Sequence, residues 1–69
     1  MYRNVKAELA RQGMTLEVLA ERLDLTIGTV SQKLNGKYPI TFREAVRIKA
    51  ILGVDTPLEE LFKEFKEAV

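Results

Sequence analysis

The chain has no cysteine and no histidine. That removes the side chains most often used as nucleophile, general base or soft metal ligand. The carboxylates do not fill the gap. Glu59, Glu60 and Glu64 stand beside no nucleophile and no phosphate-cradling glycine run; they fit a helix N-terminus and a solvated face. No enzymatic activity, metal or cofactor is expected from this set. What remains is contact chemistry. The run Thr26-Ile27-Gly28-Thr29-Val30-Ser31-Gln32-Lys33 offers hydroxyls, one long amide and a cation, and Asn35, Lys37 and Arg43 follow closely. Lysine and arginine in such a cluster suit an anion, although an ordinary solvated surface uses the same residues.

Charge distribution sharpens this picture. The 69 residues carry a net charge of only +1. Residues 1–53 hold nine basic and five acidic side chains, residues 54–69 hold two and five, and residues 26–53 hold five and one. A basic middle is joined to an acidic end. The length fits one domain, residues 1–69, with a narrow stability margin. A hydrophobic content of 46% suits a compact domain rather than a disordered tail. No apolar run approaches the roughly 18 residues that a membrane span needs, and the N-terminal segment has no apolar signal core. A cytoplasmic location with no membrane partner is expected.

The contact-bearing run contains a conflict. Ile27, Gly28 and Thr29 are poor helix formers, costing up to about 1 kcal/mol each against alanine, yet the punctuation around them is helical. Thr26 is a good N-cap, Val30 and Leu34 are an i, i+4 apolar pair, and Asn35-Gly36 is a stop. The same reading gives four more helices. One spans about Tyr2 to Gln12, ended by Gly13 in a left-handed cap with Met14 folding back. A second follows Thr15, with Leu16, Leu19, Ala20 and Leu23 inward, and ends before Asp24, which tolerates a left-handed backbone. A fourth begins at the capping box Thr41-Phe42-Arg43-Glu44, with Ala45, Val46, Ile48 and Leu52 inward and Gly53 as its stop. The fifth begins at Thr56-Pro57-Leu58-Glu59, also a capping box, with Leu58, Leu61, Phe62 and Phe65 on one face. The fold class is all-α, a compact bundle of five short helices.

The second and third helices have the spacing of a helix-turn-helix, over about residues 15–36. Ala20 lies where the two must cross closely. Here the chain resembles a family. TLEVLAERLDLTIGTVSQKLNGK is similar to the helix-turn-helix of the phage repressor and Cro (XRE-like) transcriptional regulators, and NGKYPITFREAVRIKAIL continues the likeness into the fourth helix. The departures are local. Asp24 replaces the family's turn glycine, Leu16 its usual Gln, Ile27 and Gly28 its polar residues, and Lys33 an apolar one.

The resemblance implies a lambda-repressor-like domain that binds double-stranded DNA and regulates transcription in a phage or bacterial cell, most simply as a repressor. The N-terminal part of the third helix then enters the major groove. Ile27 and the Thr29 methyl would meet thymine methyls, Gly28 would allow close approach, and Ser31 and Gln32 would hydrogen-bond to base edges. Thr26, Lys33, Asn35, Lys37 and Arg43 would contact phosphates, Asn35 by direct analogy with the family. Regulators of this kind commonly dimerise on inverted repeats. A homodimer through Leu61, Phe65 and Val69 is expected on the acidic side, unless those residues close the monomer's own core. A different reading is a protein-interaction module on the same fold, antitoxin-like or anti-repressor, with Leu16, Ile27 and Gly28 in its contact surface. No small-molecule ligand is evident.

Overall fold

The computed structural model describes residues 1–64. Among these there are five helices and no strand: α1 Arg3–Gln12, α2 Leu16–Leu23, α3 Ile27–Leu34, α4 Phe42–Leu52 and α5 Leu58–Leu61. The helix limits follow the local chemistry closely in the first four. Thr15 and Thr26 accept from the amides of Val18 and Thr29, each closing the first turn of its helix. Thr41 and Glu44 form the reciprocal capping box, with both of its hydrogen bonds present. Gly13 ends α1 at φ 67, and Met14 N–H donates back to Leu9 O at 2.9 Å.

Asp24 ends α2 in the same left-handed conformation, φ 59 and ψ 40, as the sole non-glycine residue of positive φ among those described. The bonds Asp24 N–H to Glu21 O and Leu25 N–H to Ala20 O close the helix behind it. Only Asp24, Leu25 and Thr26 therefore separate α2 from α3. That brevity forces the two helices to cross, and α2 packs most extensively against α3. At the crossing Ala20 is buried, together with Leu19, Leu23 and Val30.

The core contains Val5 and Leu9 from α1, Leu19, Ala20 and Leu23 from α2, and Val30 and Leu34 from α3. Ile48 and Leu52 from α4 and Leu61 from α5 complete it. Each long helix contributes an i, i+4 pair, as an amphipathic stripe requires. Polar ties hold the outer helices on, each directed at a carbonyl near a helix end, where no intrahelical partner exists. Gln12 donates to Leu52 O at 2.8 Å, Asn4 to Glu60 O at 2.7 Å, and Arg47 to Arg22 O at 3.3 Å. Tyr2 and Phe62 close the end of the bundle edge-to-face, with ring centroids 5.9 Å apart.

Three expectations are corrected here. Val46 is 43% exposed, not inward; Ile48 and Leu52 already fill the inward stripe of α4, and Val46 lies on its other side. The second capping box does not form. Helix α5 starts at Leu58 with Pro57 at the cap position and no side-chain cap bond, so Thr56 stands one residue too early. The fifth helix is also shorter than its apolar spacing suggests, a single turn ending at Leu61. Leu61 and Phe62 have by then made its packing contacts, and a helix this short has no stability of its own to extend further. Phe65 and Val69 lie outside the described residues.

Candidate nucleic-acid interface

Helix α3 buries one narrow stripe, Val30 and Leu34, and turns the rest outward. Ile27 is 52% exposed and Gly28 is exposed beside it. Thr29, Ser31 and Gln32 are half-buried. All of the expected base-contacting residues thus lie on one helix of eight residues. Their helical backbone is imposed by the Thr26 cap and by the packing of Val30 and Leu34, which resolves the conflict between composition and conformation.

The polar groups of this helix differ in what they have left to offer. Thr26 and Thr29 hydroxyls lie 2.9 Å apart and share a hydrogen bond, while Thr26 Oγ1 also accepts from Thr29 N–H at 3.3 Å. Thr26 and Thr29 are therefore partly engaged with each other. The side chains of Ser31 and Gln32 have no hydrogen bond among the described residues, so the Gln32 amide is available in full. A Cβ added at Gly28 would meet nothing within 4 Å, so the protein itself does not require a glycine there.

Of the expected phosphate ligands, Asn35, Lys37 and Arg43 are exposed. Asn35 caps the end of α3, Lys37 follows in the connection to α4, and Arg43 lies in the first turn of α4. Between the two residues of the capping box, the Phe42 and Arg43 amides have no partner inside the helix. Lys33 has a different place. Its Nζ donates to Glu44 Oε1 at 2.8 Å, to Glu44 Oε2 at 2.9 Å and to Pro39 O at 3.3 Å. An ammonium has three hydrogens to give, and all are used inside the protein. Lys33 is thereby removed from the phosphate-facing set: it ties α3 to the connection and to α4. Glu44 answers with a carboxyl held below the usual glutamate range by the Lys33 hydrogen bond first and the Thr41 amide second. The Thr41–Glu44 spacing made the cap legible in the sequence, but nothing in the sequence announced a partner for Lys33 eleven residues away.

Leu61 is likewise corrected. It is 2% exposed, inside the monomer's own core, and has no surface to give a second copy. One residue that the sequence did not single out lies beside the expected phosphate ligands: Lys6 of α1 reaches Asn35. Its only sequence signal is its position, one after the core residue Val5.

No cluster of histidine or acidic side chains among the described residues could hold a metal ion. None of the described helices is long and apolar enough to cross a membrane. The five-helix arrangement, with a three-residue turn between α2 and an outward-facing α3, defines a lambda-repressor-like, DNA-binding helix-turn-helix domain. A family pattern described as helix-turn-helix matches residues 5–58, most of the chain. The protein belongs to this family, the XRE-like helix-turn-helix regulators, whose shared activity is binding double-stranded DNA. No curated protein and no solved structure matches the chain.

Proposed function

We propose that this protein is a sequence-specific regulator, acting as a repressor of the phage or bacterial type, with residues 1–69 forming one DNA-binding domain. In this reading α3 lies in the major groove of an operator and blocks access by occupying it. Ile27, Gly28, Thr29, Ser31 and Gln32 face base edges; Thr26, Asn35, Lys37 and Arg43 face phosphates. The observation that carries the reading is the division of α3, which spends only Val30 and Leu34 on the core and leaves its first turn exposed. The Thr26 cap and the core hold that turn helical, so Ile27, Gly28 and Thr29 are not needed for packing and are free to meet a partner.

Gln32 is the one long side chain able to pair with adenine N6 and N7. Direct readout is therefore thin, and phosphate contacts and DNA shape supply much of the affinity. A second copy on an inverted repeat would multiply that readout, so the proposed active form is a homodimer. With Leu61 in the core, Phe65 and Val69 are its remaining candidates for pairing.

A second reading has an observation of its own. Phe42 is 76% exposed, and Val46 and Val18 are also exposed, which favours a protein partner on α2 and α4 in place of specific DNA. Selection of bound duplexes from a random library at roughly physiological salt separates the two. An enriched inverted repeat with half-site centres about 10–10.5 bp apart is expected for the regulator. Binding without enrichment, fading as salt rises, would leave only non-specific attraction and favour the protein-interaction module.

A further inference from the structure

At the end of α3 the Asn35 side chain already has a partner. Lys6, from the middle of α1, donates its Nζ to Asn35 Oδ1 at 2.5 Å, across 29 positions of sequence. This bond decides which way the amide faces. Oδ1 points to Lys6, and the Nδ2 hydrogens point away from it. The neighbouring backbone amides are spoken for: Asn35 N–H donates to Ser31 O, Gly36 N–H to Lys33 O and Lys37 N–H to Gln32 O. Neither Lys6 nor Lys37 has a carboxylate partner among the described residues.

The pair therefore presents mainly donors. The amide hydrogens of Asn35 and the remaining ammonium hydrogens of Lys6 flank the bond the two residues share, and that bond takes one of the two lone pairs of Oδ1. Such a surface fits an oxyanion with oxygens in reach of both groups. One acid lies close by. A Cβ at Gly36 would stand 3.4 Å from Glu64 Oε1 and from the Met1 nitrogen. The Tyr2 hydroxyl is pushed up by burial first and by Glu64 second. No ion pair joins Glu64 to Lys6, so no described carboxylate compensates the Lys6 charge.

We propose that Lys6 and Asn35 form a two-armed clamp on one backbone phosphate of duplex DNA, so that α1, outside the helix-turn-helix, contributes a DNA-contacting residue. This rests on the DNA-binding reading above. It gives Asn35 an oriented donor and places a second cation, with Lys37, at the exit of the recognition helix.

The test uses the full chain and random-sequence duplexes over a fourfold range of salt. Lys6→Met is expected to weaken all duplexes alike and to lower the slope of log K against log salt by about 1. Its loss is then about fourfold greater at the low-salt end of that range than at the high-salt end. Lys6→Arg should keep the wild-type slope. If Lys6→Met melts below the wild type, Lys6→Gln takes its place, since it keeps a donor for Asn35 without the charge and should lose the same slope. An unchanged slope in Lys6→Met or Lys6→Gln, with wild-type binding intact and salt-dependent, overturns the clamp and leaves the regulator standing. A loss shared completely with Asn35→Ala at unchanged slope reduces Lys6 to a tie for that amide and also overturns it. A wild-type chain with no salt-dependent binding removes the DNA reading itself and the clamp with it.

Discussion

Lys33 Nζ lies 2.8 Å from Glu44 Oε1 and 2.9 Å from Oε2, so α3 is pinned to the first turn of α4 by a two-oxygen ion pair. Both side chains are mostly buried, and between Leu23, Leu25, Ile40 and Ile48 beneath them lies an apolar cavity of about 10 Å³. The pair fixes where the connection bearing Lys37 stands relative to α3. Lys33→Met keeps the apolar stem over that cavity and leaves Glu44 unpaired. We expect a loss of about 1–3 kcal/mol of stability, the range for stranding a part-buried charge, read by denaturant unfolding. A change within about 0.3 kcal/mol would mean the pair contributes no more than a surface ion pair does.

The same pair sets an acid limit. The Glu44 carboxyl is held low by Lys33 and by the Thr41 amide, so the folded state binds its proton less tightly than the unfolded chain does. Its contribution is fully present above the unfolded glutamate value, about 4.3, and is lost as pH falls through the lower folded value. Stability measured from pH 6 downward should therefore fall on entering the acid range of roughly pH 5 to 3. The part of that fall due to Glu44 should vanish in Glu44→Gln. An identical acid profile in that variant would show that other carboxylates carry the effect.

Most of the fold was legible because its information is local. Thr15, Thr26 and Thr41 are caps, Gly13 and Gly53 are stops, and the i, i+4 pairs mark the buried stripes, so each helix up to α4 announces itself within a few residues. Asp24 was readable as a left-handed stop for the same reason. Failures came where distant parts of the chain decide. Thr56 satisfies the spacing of a cap, but α5 is placed by the docking of Leu61 and Phe62 rather than by its own start signal. Lys33 and Lys6 are indistinguishable in sequence from solvated lysines. Only the fold brings Glu44 to one and Asn35 to the other. In the interface, residue types told which groups could touch DNA, while the geometry told which of them are already occupied.

Gly28 separates folding from function. It is helical, and a Cβ there would meet nothing within 4 Å. Gly28→Ala should therefore stabilise the domain by about 0.5–1 kcal/mol, since alanine loses less backbone entropy in a helix. If the first turn of α3 approaches base edges closely, the same methyl should weaken binding to the selected operator. Higher stability with weaker operator binding is the expected pair of results. Unimpaired binding would remove Gly28 from the base-facing set.

Gln32 is the most discriminating residue proposed for the interface, and its side-chain amide has no partner among the described residues. Gln32→Ala should cost about 1–3 kcal/mol on the preferred site and relax the preference at one base position. Stability should hardly change, because no internal hydrogen bond is lost. Repeating the duplex selection with this variant checks the prediction. A preference unchanged at every position would leave Gln32 outside the readout.

Ala20 tests the geometry on which all of the above depends. It is 3% exposed, and its carbonyl accepts from Leu25 N–H at 2.9 Å, so the backbone of the turn folds directly against it. With only Asp24, Leu25 and Thr26 between the helices, α3 has no slack with which to move away. Ala20→Leu adds volume that neither helix can yield without straining the turn, and overpacking of this kind costs about 1–3 kcal/mol. On a domain of this size that should lower the melting temperature by several degrees or more. It should also weaken DNA binding, because α3 is displaced relative to α1 and the Lys33–Glu44 tie. A variant with wild-type melting and wild-type binding would show that the crossing has room to spare, and that the position of α3 is set elsewhere in the bundle.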